Sequence, residues 1–231
     1  TDDHLWAWVP KHRAVVVGDL VAWVFPNAGN PQKVQRYALE WAAALRAMSV
    51  LEPELLLPAH GLPVAGKERV ARVLGDIATV LESLVQQTLE RMNAGATLDT
   101  CIHEVKPPAA LMQRPYLRPV YDEPEFVVRN IWRQYGGWYD GNPAHLKPPR
   151  EADLARALAE LSGGASAIAK RAEESEDLRL ACQLIELASQ AAPDDAAIHA
   201  QRAAIYDRRR ESELSLMAKG IFATAAVDSN A

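Results

Sequence analysis

Residues 4–9, HLWAWV, alternate along the chain and are rich in Trp and Val. Residues 13–18, RAVVVG, are β-branched, and Pro-Lys-His separates the two runs. This pattern predicts two strands joined by a short turn. A loop carrying Pro26, Gly29 and Pro31 follows. Over 32–49 the apolar positions Val34, Tyr37, Leu39, Trp41, Ala44, Leu45 and Met48 fit a helical period better than alternation. Residues 54–57, ELLL, are flanked by proline and read as a short buried strand. The first 65 residues therefore read β-β-α-β, part of a layered α/β domain.

After Gly66 the period changes. Val70, Val73, Leu74, Ile77, Val80, Leu81, Leu84, Leu89 and Met92 mark one face of a helix over 67–93, and Asn93-Ala-Gly95 is its stop signal. A short helix is expected over 97–105, then a proline-rich connector, then a helix over 125–135. The turn-rich stretch GGWYDGNPAHLKPP comes next. From Glu151 the chain is alanine-rich and helical, with breaks near Gly163-Gly164, Ser175 and Ala192-Pro193-Asp194. Residues 177–210 resemble one tetratricopeptide-type helix pair, and one pair is not a repeat array.

Composition narrows the class. The chain has 231 residues, is 49% hydrophobic and 24% charged, and carries a net charge of −5. Those values suit a globular protein of one or two domains. No basic block interleaves with aromatics, which argues against a nucleic-acid partner. The two cysteines, Cys101 and Cys182, form no CxxC pair, so neither a disulfide framework nor a cysteine zinc site is indicated. No apolar run approaches the ~20 residues that span a bilayer. The chain opens on Thr-Asp-Asp-His without a methionine or a signal peptide and reads as the interior of a longer protein. Localisation is not readable from such an end.

Two residues carry the candidate chemistry. The second strand ends Val-Val-Val-Gly-Asp19, and an open α/β layer places ligands at such strand ends. His60 follows the short strand ELLL in "LLLPAHGLPVAG". A carboxylate and an imidazole on neighbouring strands could meet on a metal, the carboxylate bridging two cations and the imidazole suiting zinc. The spacing is met equally well if Asp19 caps a turn and His60 is a surface loop residue.

The stretches "GDLVAWVFPNAGNPQKVQRY", "LLLPAHGLPVAG" and "YLRPVYDEPEFVVRNIWRQYGGWYDGNPAHLKP" together resemble the alkyl sulfatases of the metallo-β-lactamase superfamily, which hydrolyse dodecyl sulfate and related esters. The resemblance spans roughly 1–225. It implies α/β followed by all-α architecture: residues 1–66 as the C-terminal part of an αββα metallo-β-lactamase sandwich, and 67–231 as a helical dimerisation domain. It implies two Zn2+ ions per complete site. Asp19 matches the acidic ligand that bridges them, and His60 the final histidine ligand. Asn27, Lys33 and Arg36 fall in the sulfate-contacting loop and helix start, although the arginine-bearing stretch is shifted by a residue. Tyr139 is a candidate at the substrate entrance. The implied partners are an alkyl sulfate and a second copy of the chain, with no nucleic acid and no membrane span.

The family's HxHxDH ligand cluster and the glutamate expected just before Thr1 are not in this sequence. The chain is therefore expected to be the C-terminal portion of such an enzyme. Two alternatives stay open: a non-catalytic helical dimerisation scaffold, and a metallo-hydrolase of another ester, which Asp19 and His60 would serve equally well. For the tail of an alkyl ester, Trp23 and Phe25 are expected to line a groove, whereas Trp6, Trp8 and Trp41 are expected in the core. Trp138 is a further groove candidate. Asp140 and Asn142 read as a packing corner, His103 and His145 as structural, and His4 as a support beside the metal site.

Overall fold

The computed structural model describes residues 4–229; the opening Thr-Asp-Asp, read above as interior sequence, lies outside them. Four short strands form one sheet in the order β1-β2-β3-β4. Strand β1 (Ala7–Val9) pairs antiparallel with β2 (Ala14–Gly18) across a single 3-10 turn at Pro10–His12. Helix α1 (Ala38–Val50) then crosses over, so that β3 (Leu55–Pro58) runs parallel to β2. The two-residue strand β4 (Val64–Ala65) closes the sheet antiparallel to β3. It is too short to have left a pattern in the sequence.

The pleat sorts the side chains into two faces. Val15 stands opposite Leu56, and Leu56 opposite Val64. These residues and Val17 are buried in one cluster with Ala38, Ala42, Leu45 and Met48 of α1 and the inner face of helix α2 (Lys67–Asn93). The other face bears Ala7, Val16, Leu55 and Leu57, and there Val16 is 41% exposed while Val15 and Val17 are at 0%. On that face Ala14 is buried and Leu55 and Leu57 are half-buried, so the opening is confined to Ala7 and Val16.

Helix α1 begins six residues later than the period over 32–49 predicts. The Arg36 carbonyl accepts from Asn130 Nδ2 at 2.9 Å and from Gln35 Nε2 at 2.9 Å. Tertiary hydrogen bonds thus hold this stretch in a loop, and Val34 is exposed.

Helices α3 (Leu98–Glu104), α4 (Ala109–Met112) and α5 (Pro124–Gly136) complete the first compact unit, which ends at Asn142. The Thr97 side chain caps α3 by accepting from Thr100 N, and Pro124 occupies the first turn of α5, where its missing N–H costs nothing. The two compact units meet at Asn142/Pro143, and α2 packs against α1 and the sheet in the core of the first.

The second unit, from Pro143, holds α6 (Glu151–Ser162), α7 (Ala165–Glu173), α8 (Leu178–Ala191), α9 (Ala196–Ser212) and α10 (Leu216–Asp228). The expected breaks separate α6 to α9, and Ser215 starts a further helix by capping Ala218 N at 3.3 Å. Asp177 and Asp195 cap α8 and α9. The core is largely alanine with Ile168, Ile185, Ile198 and Ile205, which lets the helices approach closely. Glu186 of α8 accepts from Arg202 Nε at 2.9 Å and from the Tyr206 hydroxyl at 2.6 Å, both on α9. Arg202 also donates to the Ala225 carbonyl at 2.8 Å, tying in α10.

Leu56 lies at the centre of the sheet and is fully buried. Leu56→Ala should lower the stability of the first unit by about 2–5 kcal/mol. All six tryptophans precede Pro143, so urea denaturation followed by tryptophan fluorescence reads this unit alone.

Candidate functional site

Parallel pairing sets the carboxyl ends of β2 and β3 side by side, with Gly18 opposite Pro58 after a register irregularity at Val16/Gly18. One further hydrogen bond, from Ala59 N to the Gly18 carbonyl at 3.0 Å, extends the pairing to the next residues. Asp19 and His60 leave the sheet from these two ends. His60 Nε2 stands 3.3 Å from Asp19 Oδ1, and the two side chains are 73% and 61% exposed, so their donor atoms are available to a ligand.

Both residues open onto a cavity of about 870 Å3. Its polar wall includes Asn27, Arg36, Glu40 and Tyr121, and its apolar wall Trp6, Leu20, Val21, Trp41 and Ile77. Tyr37, just before α1, and Glu40, Trp41 and Ala44 within it line the cavity from one face, while Ala38, Ala42, Leu45 and Met48 turn to the core. That cavity-facing stripe has i, i+3, i+4, i+7 spacing and was open to sequence reasoning, which had not singled it out. The Trp41 indole N–H donates to the Leu20 carbonyl at 3.0 Å, steadying the chain just after Asp19. His4 also lines the cavity, with Nε2 3.2 Å from the Val17 carbonyl oxygen.

The loop that carries Asn27 and Arg36 is anchored from α5. Asp122, with no exposed surface, accepts through Oδ2 from Gly29 N at 2.7 Å and Asn30 N at 3.1 Å, and through Oδ1 from Glu123 N at 2.7 Å. Asn130 Nδ2 donates to the Ala28 carbonyl at 2.8 Å. A Cβ at Gly29 would lie 2.3 Å from the α5 backbone at Phe126 and Val127, so only glycine permits this approach. Within that clamp, Asn27 Oδ1 and Arg36 Nε are buried without a hydrogen-bond partner. Unsatisfied buried polar atoms are costly unless a ligand completes them, and both of these belong to cavity-wall residues. Burial pushes the Asp122 carboxyl up to about 6, against the pull of the three backbone amides and the Arg36 guanidinium.

The remaining expected residues lie elsewhere. Lys33 is on an exposed turn, its N–H bonded to the Asn30 carbonyl, and is not part of the wall. Tyr139 is also off the wall; its carbonyl accepts from the Trp132 indole at 2.9 Å. Phe25 is core, fully buried, with its backbone held by the Arg118 carbonyl. Trp23 and Trp138 are absent from the wall too, and Trp138 is 72% exposed. Conversely Trp6 and Trp41, expected in the core, both pack on it and face the cavity. Asp140 and Asn142 form a turn in which the Asp140 carbonyl accepts from Leu98 N at 2.9 Å. Among the described residues no third His, Cys, Asp or Glu groups with Asp19 and His60, and no helix is long and apolar enough to cross a membrane.

The fold, a small mixed sheet followed by helices, is shared with solved structures of a sec-alkylsulfatase. A stereoselective inverting sec-alkylsulfatase from Pseudomonas superimposes with a TM-score of 0.88 at 27% sequence identity, over 97% of this chain and 37% of that one. The profile of the family described as alkyl sulfatase dimerisation matches residues 97–231, and the chain belongs to that family. A linear primary-alkylsulfatase of Pseudomonas is 32% identical over 70% of this chain and 31% of its own length. An (R)-specific secondary-alkylsulfatase of Pseudomonas is 31% identical over 77% of this chain and 28% of its own length. The chain thus spans about a third of the length of the curated relatives it matches.

The raised Asp122 carboxyl has a sign that can be checked. The unfolded chain releases this proton near pH 4, the folded chain near pH 6. Between those values the folded chain binds the extra proton, so this group adds stability as the pH falls through that window and withdraws it as the pH rises. Asp122→Asn should remove about one proton from the slope of stability against pH between 4 and 6, as read by urea denaturation across a pH series.

Proposed function

We propose that this chain supplies one wall of a zinc-dependent site that hydrolyses alkyl sulfate esters, together with the helical region through which two copies pair. The observation that carries the reading is the single cavity that joins the Asp19–His60 pair, two unsatisfied polar side chains and an apolar wall.

The donor pair fits zinc. Two ligands of a tetrahedral zinc, each about 2.0–2.1 Å from the ion, stand about 3.3–3.4 Å apart, and the Asp19 and His60 donor atoms are separated by 3.3 Å. The two oxygens of Asp19 allow it to serve both ions of a two-zinc centre. The remaining ligands are assigned to sequence outside this chain. When bound, the zinc pair supplies a Lewis acid and a water ionised near neutral pH.

The exposed Val16, with Leu55 and Leu57 half-buried beside it, supports the matching fold reading, a partial αββα sandwich whose second layer comes from the same longer protein. An alkyl sulfate is a monoanion with an apolar tail. Arg36 and Asn27 hold the sulfate oxygens by charge-assisted and amide hydrogen bonds. Trp6, Trp41, Leu20, Val21 and Ile77 take the tail and exclude water from it. One ester and one water become one alcohol and one hydrogen sulfate. The relatives, a linear primary-alkylsulfatase, an (R)-specific secondary-alkylsulfatase and an alkyl/aryl-sulfatase of Saccharomyces cerevisiae, support the ester class.

Binding of octyl sulfate, measured by calorimetry, tests the cavity. Arg36→Met should weaken it by about tenfold or more. Unchanged affinity would remove the sulfate-binding role of the loop. Zinc content by atomic emission should fall in Asp19→Ala and in His60→Ala, and sedimentation should show a dimer. A dimer that holds no zinc and turns over no alkyl sulfate in the full-length protein would leave a dimerisation scaffold.

A further inference from the structure

Trp23 was expected to line a groove, and it does not. Its backbone adopts φ +54°, a left-handed conformation that is strained for a bulky side chain. The ring is 37% exposed, so the strain is not repaid by deep burial. What the conformation does achieve is contact with the loop that follows β3. The indole Nε1–H donates to the Leu62 carbonyl at 2.7 Å. Gly61, at φ +93°, lies so close beneath the ring that a Cβ there would be 2.1 Å from Trp23 Cδ1. The ring's other side meets Tyr116 edge-on at 6.3 Å. Tyr116 is itself fixed, its hydroxyl donating to Asp76 Oδ2 of α2 at 2.6 Å, where Arg114 Nε also donates at 3.0 Å.

The geometry points to Trp23 as the positioning residue of His60. It is a clasp that presses Gly61 and grips Leu62, and so sets where the imidazole between Ala59 and Gly61 stands. The residue before His60 is held by Gly18 through the strand pairing, and Trp23 holds the two residues after it. Without the clasp, the next hold after His60 is the pairing of Val64 with Leu56, four residues on. A ring sitting on Gly61 also explains why glycine follows the histidine in "AHGL". The inference rests on the reading of His60 as a zinc donor, and it concerns how that donor is placed.

The test uses the full-length zinc protein. Trp23→Phe keeps an aromatic ring against Tyr116 and loses the N–H donor. Gly61→Ala is the complementary variant, pushing the ring off the loop. Each should weaken zinc binding by about tenfold, measured by chelator competition. Each should also speed amide hydrogen exchange at residues 60–62 while exchange in α2 and in the second unit stays as in the parent. His60→Ala is the control. If His60→Ala weakens zinc binding and Trp23→Phe changes neither affinity nor local exchange, the clasp is wrong and the metal reading stands. If His60→Ala leaves zinc affinity intact, the metal reading falls. The clasp is then judged on exchange at 60–62, which supports it if faster in Trp23→Phe and overturns it if unchanged.

Discussion

Strands β2 and β3 run parallel, and the rest of the site follows from that pairing. An antiparallel partner would have sent the two strand ends in opposite directions. A parallel one, with α1 as the crossover, brings both carboxyl ends to one rim. The hydrogen bond from Ala59 to Gly18 carries the pairing past the last strand residues, so Asp19 and His60 depart from adjoining points and meet at 3.3 Å. The apolar contacts of Val15 with Leu56 hold the two strands in register and thereby hold the donors in register. The same crossover contributes the cavity's flank, because α1 has two working faces.

A second dependence links distant parts of the first unit. Asp122 and Asn130 lie in the region matched by the dimerisation family, yet they organise the loop carrying Asn27 and Arg36. The helical part of the chain is therefore a structural component of the cavity as well as the proposed means of pairing. Asp122 also faces a conflict typical of a buried anchor. Its three backbone amide donors favour the charged carboxylate, while burial favours the neutral form, and burial prevails by enough to bring the group near pH 6.

Much of this was legible in the chain itself. Alternation and helical period located the long elements, and the family motifs led to Asp19, His60, Asn27 and Arg36, which the structure brings to one cavity. Other features were not legible, for physical reasons. Residues 32–37 carry a helical pattern, but the Asn130 side chain, far along the sequence, captures the Arg36 carbonyl. Trp23 and Phe25 adjoin in sequence and part in space. One clasps a loop under strain, and the other fills the core. Asp122 looks like an ordinary loop carboxylate until its partners are known, and two of them are backbone amides of Gly29 and Asn30. Lys33 sits within the motif but on an exposed turn. The change of pattern after Gly66 is real, but periodicity does not report which core a helix joins, and α2 joins the sheet's.

The division of labour on α1 bears on what substitutions along it can change. Tyr37, Glu40, Trp41 and Ala44 line the hollow, while Asp19 and His60 lie just past the ends of two separate strands. Exchanging bulk or polarity at Tyr37, Glu40 or Ala44 alters the lining of the hollow, whereas a change at Trp41 also releases the Leu20 carbonyl beside Asp19. The hollow's shape and the placement of the chain just after β2 are therefore coupled through one indole.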